Sequence, residues 1–269
     1  MNSIAASPLS TTSSAHPRAG QSMSGAEIIV QVLADEGVDT IFGYSGGAIL
    51  PTYDAIFRHN DQQSKLTAGA RPMPLIVPAN EQGAGFMAAG YARASGKVGV
   101  CVVTSGPGAT NTVTPVRDCA ADSIPIVVIC GQVGTSAIGT DAFQEAPVSN
   151  IMGAVAKHCF LVTDPAKLEA TVRTAFEIAR SGRPGPVVID IPKDVQNWQG
   201  NYQGSGLLPM RGYHARMQAL RARTLEADHA AKFFQMLGEA ERPLIYAGGG
   251  VIHSEAADEL RAFANEFGI

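Results

Sequence analysis

A glutamate at a predicted strand-to-helix junction is the first candidate for chemistry. Glu81 follows an apolar strand predicted over residues 74–78 and opens a helix predicted over 81–94. A carboxylate in the first helical turn is commonplace, because the helix dipole favours it. This helix is lined by glycine and alanine, however, and such small residues let a ligand pack close to the carboxylate. Since α/β proteins bind ligands at the carboxyl ends of their strands, Glu81 is a candidate functional residue.

A glycine turn follows the next predicted strand. The strand predicted over 98–104 runs into the segment TSGPGATN, residues 104–111. A dinucleotide fingerprint, G-x-G-x-x-G, would need glycine where Asn111 stands, and Pro107 has no backbone N–H to offer a phosphate. The sequence therefore disfavours a nicotinamide site. The Asn111 amide can instead bind a ligand ring or cap the following helix.

A long segment with little periodicity lies between two later strands, over residues 131–150. Loops of this length inside a compact domain are usually functional. Its central part, residues 139–145, offers the aromatic ring of Phe143, the amide of Gln144 and two carboxylates. A polar surface loop without a function is the alternative interpretation.

Composition excludes several classes of protein. The net charge is −4, and the basic residues are scattered, which gives no footprint for a nucleic-acid backbone. No apolar run approaches the roughly 18–20 residues that span a bilayer. The six histidines and four cysteines show no metal-binding spacing. The predicted setting is cytoplasmic, and import into an organelle through the N-terminal tail is the less favoured alternative.

The elements that must position these residues form an α/β pattern. Short, continuous apolar strands alternate with helices, which is typical of a parallel sheet covered on both faces. This pattern occupies residues 23–194. Ser24 and Glu27 form a capping-box signature at the start of its first predicted helix, and residues 61–72 are predicted to be a loop. An amphipathic helix is predicted over 165–181, with an inner face of Leu168, Val172, Ala175, Phe176 and Ala179. Residues 1–22, rich in Ser, Thr and Ala, are predicted to be a disordered tail, and residues 195–224 a linker. Residues 225–269 begin a second α/β domain with one predicted strand, 244–247, so this domain is incomplete.

Several motifs together resemble the acetolactate synthase (acetohydroxyacid synthase) catalytic subunits of the thiamine diphosphate enzyme family. The resemblance runs from Ser24 to the end of the chain. Residues 104–111 are shared across several thiamine enzymes, whereas residues 138–145 are more specific to acetolactate synthases. The other matching segments are residues 42–44, 46–48, 81–84, 90–94, 96–100, 122–125, 131–133, 157–158, 182–186 and 190–194.

The resemblance implies roles for individual residues. Glu81 matches the catalytic glutamate that hydrogen-bonds the pyrimidine ring of the cofactor. Phe143 and Lys193 match substrate-proximal positions, and no residue matches a metal ligand. The implied cofactor-binding residues are Tyr44, Gly46, Gly47, Pro107, Asn111 and Gln144.

The resemblance also implies a reaction and an assembly. Residues 23–194 would be the pyrimidine-binding domain and residues 225–269 the start of the central domain, which helps to bind FAD in the family. The reaction would be pyruvate decarboxylation and transfer of the two-carbon unit to a second 2-oxo acid, in branched-chain amino acid biosynthesis. The expected partners are small 2-oxo acid substrates, further copies in a homodimer or higher homo-oligomer, and a regulatory subunit, with no nucleic acid and no membrane.

The GDG…N signature of the family's diphosphate- and Mg²⁺-binding domain does not occur in the 269 residues. The isolated chain is therefore expected to be inactive alone. Two alternatives stay open: another thiamine diphosphate-dependent 2-oxo acid decarboxylase or carboligase, and a non-catalytic orphan assembly or binding domain. Three residues depart from the family pattern: Ser45 and Gly134 each stand for a proline, and Asn80 stands for a histidine.

Overall fold

The computed structural model describes residues 15–269, so most of the predicted N-terminal tail lies outside the described residues. The chain divides into two compact units, one reaching Met217 and the other spanning Gln218–Ile269. The elements that begin before this boundary are, in chain order, β1 (Ser22–Ser24), α1 (Gly25–Asp35), β2 (Ile41–Tyr44), α2 (Leu50–Ser64), β3 (Leu75–Ile76), α3 (Glu81–Ser95), β4 (Gly99–Val103), α4 (Pro107–Thr110), α5 (Val113–Asp122), β5 (Ile126–Gln132), α6 (Val148–Gly153), β6 (His158–Leu161), α7 (Leu168–Arg180), β7 (Val187–Pro192), α8 (Lys193–Asn197), β8 (Gln199–Asn201) and α9 (Tyr213–Arg221).

The first unit is built on a six-stranded parallel sheet, which confirms the predicted α/β class. The strand order is β3-β2-β4-β5-β7-β6, and every neighbouring pair is parallel. Val100, Val127 and Val187 stand in one register row. Because side chains alternate along a strand, the side chains of these three residues enter the core on one face of the sheet. The side chains of the following residue on each strand enter the core on the other face. Both faces of the sheet are therefore buried, as the continuous apolar strands predict.

Helix ends follow local sequence signals. Ser24 accepts a hydrogen bond from the backbone N–H of Glu27, whose side chain accepts in return from the Ser24 N–H, so the predicted capping box is formed. The helix α3 begins after Asn80, whose Oδ1 accepts from the Gly83 N–H at 2.8 Å. It ends at Gly96, which has φ +72° in the left-handed region that favours glycine.

The helix α7 confirms the predicted amphipathic pattern. All five residues expected on its inner face are buried: Leu168, Val172, Ala175, Phe176 and Ala179. Their spacing of three and four residues places them along one stripe, which faces the sheet. The helix α2, in contrast, continues to Ser64 through part of the segment that was predicted to be a loop over 61–72.

The strand order reverses between β2 and β4. The connection leaving β2 leads to β3 on one side, whereas the connection leaving β4 leads to β5 on the other. Such a switch point opens a crevice at the carboxyl ends of the strands, where ligands bind in open α/β sheets. The turn after β2, the helix start after β3 and the glycine turn after β4 all lie at this edge.

Two predicted irregular segments hold structure in the first unit. Strand β1 pairs antiparallel with β8, and the backbone N–H of Gly20 donates to the Tyr202 carbonyl at 2.8 Å, so the described part of the predicted tail is ordered. The predicted linker is likewise part of this unit over its first residues. Val195, Gln196 and Tyr202 are buried there, because they complete a core that the α/β pattern alone does not fill.

The regular secondary structure of the second unit is helical. It contains α10 (Ala227–Glu239), α11 (Gly250–His253) and α12 (Ala257–Phe267). The prediction of a strand over 244–247 is wrong: these residues form no strand, and Leu244 and Tyr246 are almost fully exposed. A strand needs a neighbour for its backbone hydrogen bonds, and within this unit no other strand supplies one.

Candidate functional site

A buried carboxylate–amide pair lies at the switch point. Glu81 is the first residue of α3 and is only 9% exposed. Its Oε2 accepts a hydrogen bond from Asn111 Nδ2 at 2.8 Å, across 30 residues of sequence. Among the described residues, none donates a hydrogen bond to the other oxygen, Oε1. The structure thus brings together two of the predicted site residues and leaves one carboxylate oxygen available to a ligand.

Two glycines let the backbone approach this pair closely. A Cβ added to Gly108 would lie 2.6 Å from Thr104 Cγ2 and 3.5 Å from Glu81 Oε1. A Cβ on Gly46 would meet three Thr104 side-chain atoms within 2.7 Å. Any larger residue would therefore clash at either position. Gly46, one of the predicted cofactor-binding residues, therefore packs against Thr104, and Gly108 packs against both Thr104 and the Glu81 carboxylate.

The turn after β2 is held from behind by a buried glutamine. Gln196 Nε2 donates to the carbonyls of Ala48 at 2.8 Å and Ile191 at 3.0 Å, while its Oε1 accepts from Thr52 Oγ1 at 2.9 Å. The Ala48 N–H also donates to Thr104 Oγ1 at 3.3 Å. Tyr44 and Gly47 in this turn are exposed. Gln196 lies in the segment predicted to be a linker, where no sequence pattern marks it as a functional residue.

The loop after β5 touches the glycine turn. A Cβ on Gly106 would lie 2.3 Å from the Gln144 carbonyl oxygen, so the two backbones are in direct contact. Gln144 itself has φ +57°, and Asp141 has φ +62°, which are uncommon for residues with a side chain. Phe143 is 89% exposed. The structure therefore places Phe143 and Gln144 next to the turn that holds Pro107 and Asn111.

Glu145 closes this loop on itself. Its carboxylate accepts hydrogen bonds from the backbone N–H groups of Gly139 and Ala142, the latter at 3.1 Å. These bonds, that from Gly139 first, lower the pKa of Glu145. The glutamate that the sequence presents as a possible reactive group thus has a structural role in the loop.

Lys193 is separated from this cluster. It begins α8 at the end of β7, and its side chain is exposed. It lines a cleft of about 400 Å³ together with Asp54, Arg58 and Gln196. No contact joins Lys193 to Glu81 or Asn111 among the described residues, so its substrate-proximal role stays a prediction.

A second buried carboxylate was missed by the sequence analysis. Asp190 in β7 is 1% exposed, and burial raises its pKa to about 7. Its Oδ2 accepts from Gln132 Nε2 at 3.0 Å, whereas its Oδ1 has no hydrogen-bond partner. The sequence signal was an acidic residue inside an apolar strand, where a charge has no solvent to stabilise it.

The small residues of α3 pack inward. A Cβ on Gly85 would meet Pro115 Cγ at 2.5 Å, and one on Gly99 of β4 would meet the Ala88 carbonyl oxygen at 2.2 Å. Small residues of α3 therefore allow this helix to lie close to α5 and β4. The outer face of α3 carries Phe86 and Met87, which are 42% and 44% exposed.

The described residues contain no group of three His, Cys, Asp or Glu side chains that could hold a metal ion. Over the same range, residues 15–269, every helix is too short or too polar to cross a membrane.

The site fits an aromatic ring with a hydrogen-bonding nitrogen. Glu81 Oε1 is available, Oε2 is fixed by Asn111, and the Gly108 backbone lies close to the carboxylate without a side chain of its own. A pyrimidine ring has edge nitrogens that can form a hydrogen bond with such an oxygen. The residues present are therefore compatible with the pyrimidine portion of thiamine diphosphate.

Comparisons with known proteins agree with this class of site. The family model described as "Thiamine pyrophosphate enzyme, N-terminal TPP binding domain" matches residues 23–152. The model described as "Thiamine pyrophosphate enzyme, central domain" matches residues 230–269. The chain belongs to the thiamine pyrophosphate enzyme family.

Within this family the chain is similar to the N-terminal portion of acetolactate synthases. It is 42% identical over 265 residues to the acetolactate synthase large subunit of Corynebacterium glutamicum, covering 97% of this chain and 39% of that protein. The large subunit of Parasynechococcus marenigrum is 46% identical over 252 residues, with 93% and 38% covered. The chloroplastic acetolactate synthase of Arabidopsis thaliana is 40% identical over 251 residues, with 93% and 35% covered. The chain thus spans about two fifths of the length of these relatives.

Proposed function

We propose that this chain is the pyrimidine-binding part of an acetolactate synthase-type carboligase. The whole protein would decarboxylate pyruvate and transfer the two-carbon unit to a second 2-oxo acid. The observation that carries the proposal is the Glu81–Asn111 pair, set beside the Gly108 backbone at the switch point of the sheet. Similarity to acetolactate synthases over nearly the whole chain supports this activity over that of other thiamine enzymes.

Thiamine diphosphate, when bound, supplies the electron sink that 2-oxo acid decarboxylation needs. Glu81 would share a proton with a ring nitrogen of the pyrimidine through Oε1. Asn111 would keep the carboxylate in one orientation by holding Oε2 at 2.8 Å. The low exposure of Glu81 keeps water from competing for this proton. We propose Glu81 as the catalytic residue, with Tyr44, Gly46, Gly47, Pro107, Asn111 and Gln144 around the cofactor.

Phe143 and Gln144 would stand at the substrate side of this site. The backbone contact between Gly106 and Gln144 supports the placement, because it fixes the loop against the turn that carries Asn111. Lys193, in its own cleft, would meet the substrate on its way in.

The test compares two samples: the 269-residue chain and the whole protein. We expect the whole protein to form acetolactate from pyruvate when thiamine diphosphate and Mg²⁺ are added, and the isolated chain to form none. Sulfoacetaldehyde and oxalyl-CoA are offered in parallel as substrates of related thiamine enzymes. Whole protein that turns over one of these and leaves pyruvate unused would contradict the proposal, and so would whole protein that uses none of the three.

Mg²⁺ and FAD are proposed for the whole protein on the family resemblance. Because residues 15–269 offer no cluster of metal ligands, the ligands of a magnesium ion would come from elsewhere in the protein. FAD would involve the central-domain region, where the second family model matches. A flavin absorbance spectrum and a magnesium titration of the whole protein test these two points.

We propose a homodimer or larger homo-oligomer as the working form. Exposed apolar side chains at the carboxyl edge and on nearby helices support it, because soluble monomers rarely leave many such groups uncovered. These side chains are Tyr44, Leu50, Phe57, Ile76, Val77, Phe86 and Met87. Light scattering tests this proposal, and a stable monomer at high concentration would contradict it.

The names of several relatives designate them large subunits. On that ground we propose a smaller regulatory subunit as a further partner, to be tested by co-purification. A cytoplasmic location is proposed for this protein, although the Arabidopsis relative is chloroplastic by name.

A further inference from the structure

One side-chain amide holds both ends of the loop that carries Phe143 and Gln144. Gln132 is the last residue of β5. Its Oε1 accepts from the Val133 N–H at 2.9 Å, at the start of the loop. Its Nε2 donates to the Ala146 carbonyl at 3.2 Å, at the end of the loop. Residues 133–146 are therefore closed at their base by this amide.

The orientation of the amide is fixed by Asp190. Gln132 Nε2 donates its second proton to Asp190 Oδ2 at 3.0 Å. A carboxylate can only accept, so it selects the –NH₂ end of the amide and excludes the flipped orientation. In the flipped orientation, the bonds to Val133 and Ala146 would both be lost, because donor and acceptor would exchange places.

Asp190 has an available proton-binding atom in this arrangement. Its Oδ1 is buried without a hydrogen-bond partner. A buried carboxylate with one unpartnered oxygen is an expensive feature for a strand that is otherwise apolar. It calls for a role beyond packing.

We propose that Asp190 is a positioning residue, which acts through the Gln132 amide to hold residues 133–146 and so places Phe143 and Gln144 against the Gly106 turn. Its relevance to catalysis rests on the proposed function above. The positioning of residues 133–146 by Asp190 is independent of that function, since it concerns only contacts within this chain.

The protonation state of Asp190 sets the strength of its hydrogen bond to Gln132. Burial raises its pKa to about 7, against a lowering by the Gln132 hydrogen bond. The ionised carboxylate accepts a charge-assisted bond, which is roughly twice as strong as the bond to a neutral carboxyl group. The loop is therefore held more firmly above the pKa than below it.

The groups that face Asp190 do not titrate in the same range. Cys130 on β5 and Cys159 on β6 are its titratable neighbours, and burial raises the pKa of both thiols, that of Cys159 to about 11. His158 pairs with Val187, whose side chain enters the opposite core. Ser149 of α6, which forms a hydrogen bond with Cys159, carries no charge. No positive charge among the described residues contributes to the pKa of Asp190.

Hydrogen–deuterium exchange of the full 269-residue chain tests the proposal. The measured quantity is the protection of the peptide covering residues 133–148, corrected for intrinsic exchange, at about pH 6 and about pH 8.5. We expect protection to fall by roughly threefold or more at the lower pH, because the charge-assisted bond is lost. The protection of strands β4 and β5 reports the change in global stability between the two pH values, and the protection of the loop is compared with it.

Two variants of Asp190 separate positioning from packing. Asp190→Asn keeps an oxygen that accepts from Gln132 and cannot ionise, so its loop protection should not depend on pH. Asp190→Leu keeps the branched shape of the side chain, although it is larger, and removes the acceptor, so its loop should be poorly protected at both pH values. If the leucine variant does not fold, Gln132→Met removes the same hydrogen bond by replacing its donor.

The matched control is Asp194→Asn. Asp194 bonds the N–H and hydroxyl of Thr135 in the same loop, and its hydrogen bonds to Thr135 lower its pKa against the opposing effect of burial. This carboxylate stays ionised from pH 6 to pH 8.5, so the control variant should retain the wild-type pH dependence. A pH-independent wild-type loop, or a pH-dependent loop in Asp190→Asn, would overturn the proposal. Because no cofactor or turnover enters the measurement, the outcome is independent of whether the whole protein makes acetolactate.

Discussion

The two carboxylate–amide pairs at the carboxyl edge of the sheet have similar bonds and different surroundings. Glu81 accepts from Asn111 at 2.8 Å and Asp190 accepts from Gln132 at 3.0 Å, and each has one oxygen that no described residue reaches. Glu81 opens a helix beside a glycine backbone and keeps 9% exposure, whereas Asp190 sits within a strand at 1%. The same chemical pair thus occurs once at the site that we propose for a ligand and once, more deeply buried, beside a loop of the protein itself.

The largest expected effect is a loss of activity when Glu81, and not Asp190, is replaced. In the whole protein, Glu81→Gln keeps the size of the side chain and removes the shared proton, so acetolactate formation should fall by roughly 10²–10⁴. The melting temperature should barely change. Both quantities are measured on the same preparation, from pyruvate turnover and thermal unfolding.

Glu27→Gln is the matched control for Glu81→Gln. Glu27 also lies in the first turn of a helix, and it completes the capping box with Ser24. Its replacement should cost at most about 1 kcal/mol of stability and leave activity intact. If both variants lost stability and neither lost activity, Glu81 would be a helix-start charge and nothing more.

Asp190→Asn should act on stability in a pH-dependent manner. The pKa of Asp190 is about 7 in the folded chain against an ordinary value of 3.8, so between these values the folded chain keeps a proton that the unfolded chain has released. Wild-type stability therefore falls as pH rises through this window. Asparagine removes the charge and should stabilise the protein by on the order of 2–4 kcal/mol above pH 7, with no gain near pH 4. Denaturant unfolding at the two pH values measures the difference, and an equal gain at both would contradict the assignment.

Asn111→Ala tests the contribution of the amide to the Glu81–Asn111 pair. Losing the Nδ2 donor leaves Glu81 Oε2 without its partner, which is typically a loss of about 1–3 kcal/mol for a buried acceptor. We expect thiamine diphosphate to bind the whole protein roughly tenfold more weakly or worse. Calorimetric titration gives the affinity. Unchanged binding would show that the Asn111 amide does not orient Glu81 toward the cofactor.

Lys193→Met has the smallest expected effect. The lysine is exposed and lies in a separate cleft, so stability should change by no more than about 0.5 kcal/mol. A role in attracting the carboxylate of a 2-oxo acid would raise KM for pyruvate by several-fold with little change in kcat. A lowered kcat at constant KM would instead place Lys193 at the reacting atoms.

Departures from the family pattern gain a partial explanation from the structure. Asn80, where a histidine is usual, caps α3 through its bond to the Gly83 N–H. The cap fixes the first turn of the helix, and so the place of Glu81. Nothing in the structure explains Ser45 or Gly134, where prolines are usual.

The sequence by itself determined the local structure and the class of fold. Alternating apolar strands and helices, the capping box at Ser24 and the stripe on α7 are set by neighbours within a few residues, and all three are found as predicted. The glycine turn at 104–111 was also readable, because glycine and proline restrict or free the backbone locally.

Only the tertiary structure decided which polar groups meet. Glu81 and Asn111 are 30 residues apart, and Gln132 and Asp190 are 58 apart, so their pairing depends on strand order and register rather than on local preference. The same holds for Gln196, whose segment looked like a linker until the Thr52 and Ala48 partners came into reach. The apolar stretch 244–247 shows the converse: strand propensity alone forms no strand where no neighbouring strand accepts its hydrogen bonds.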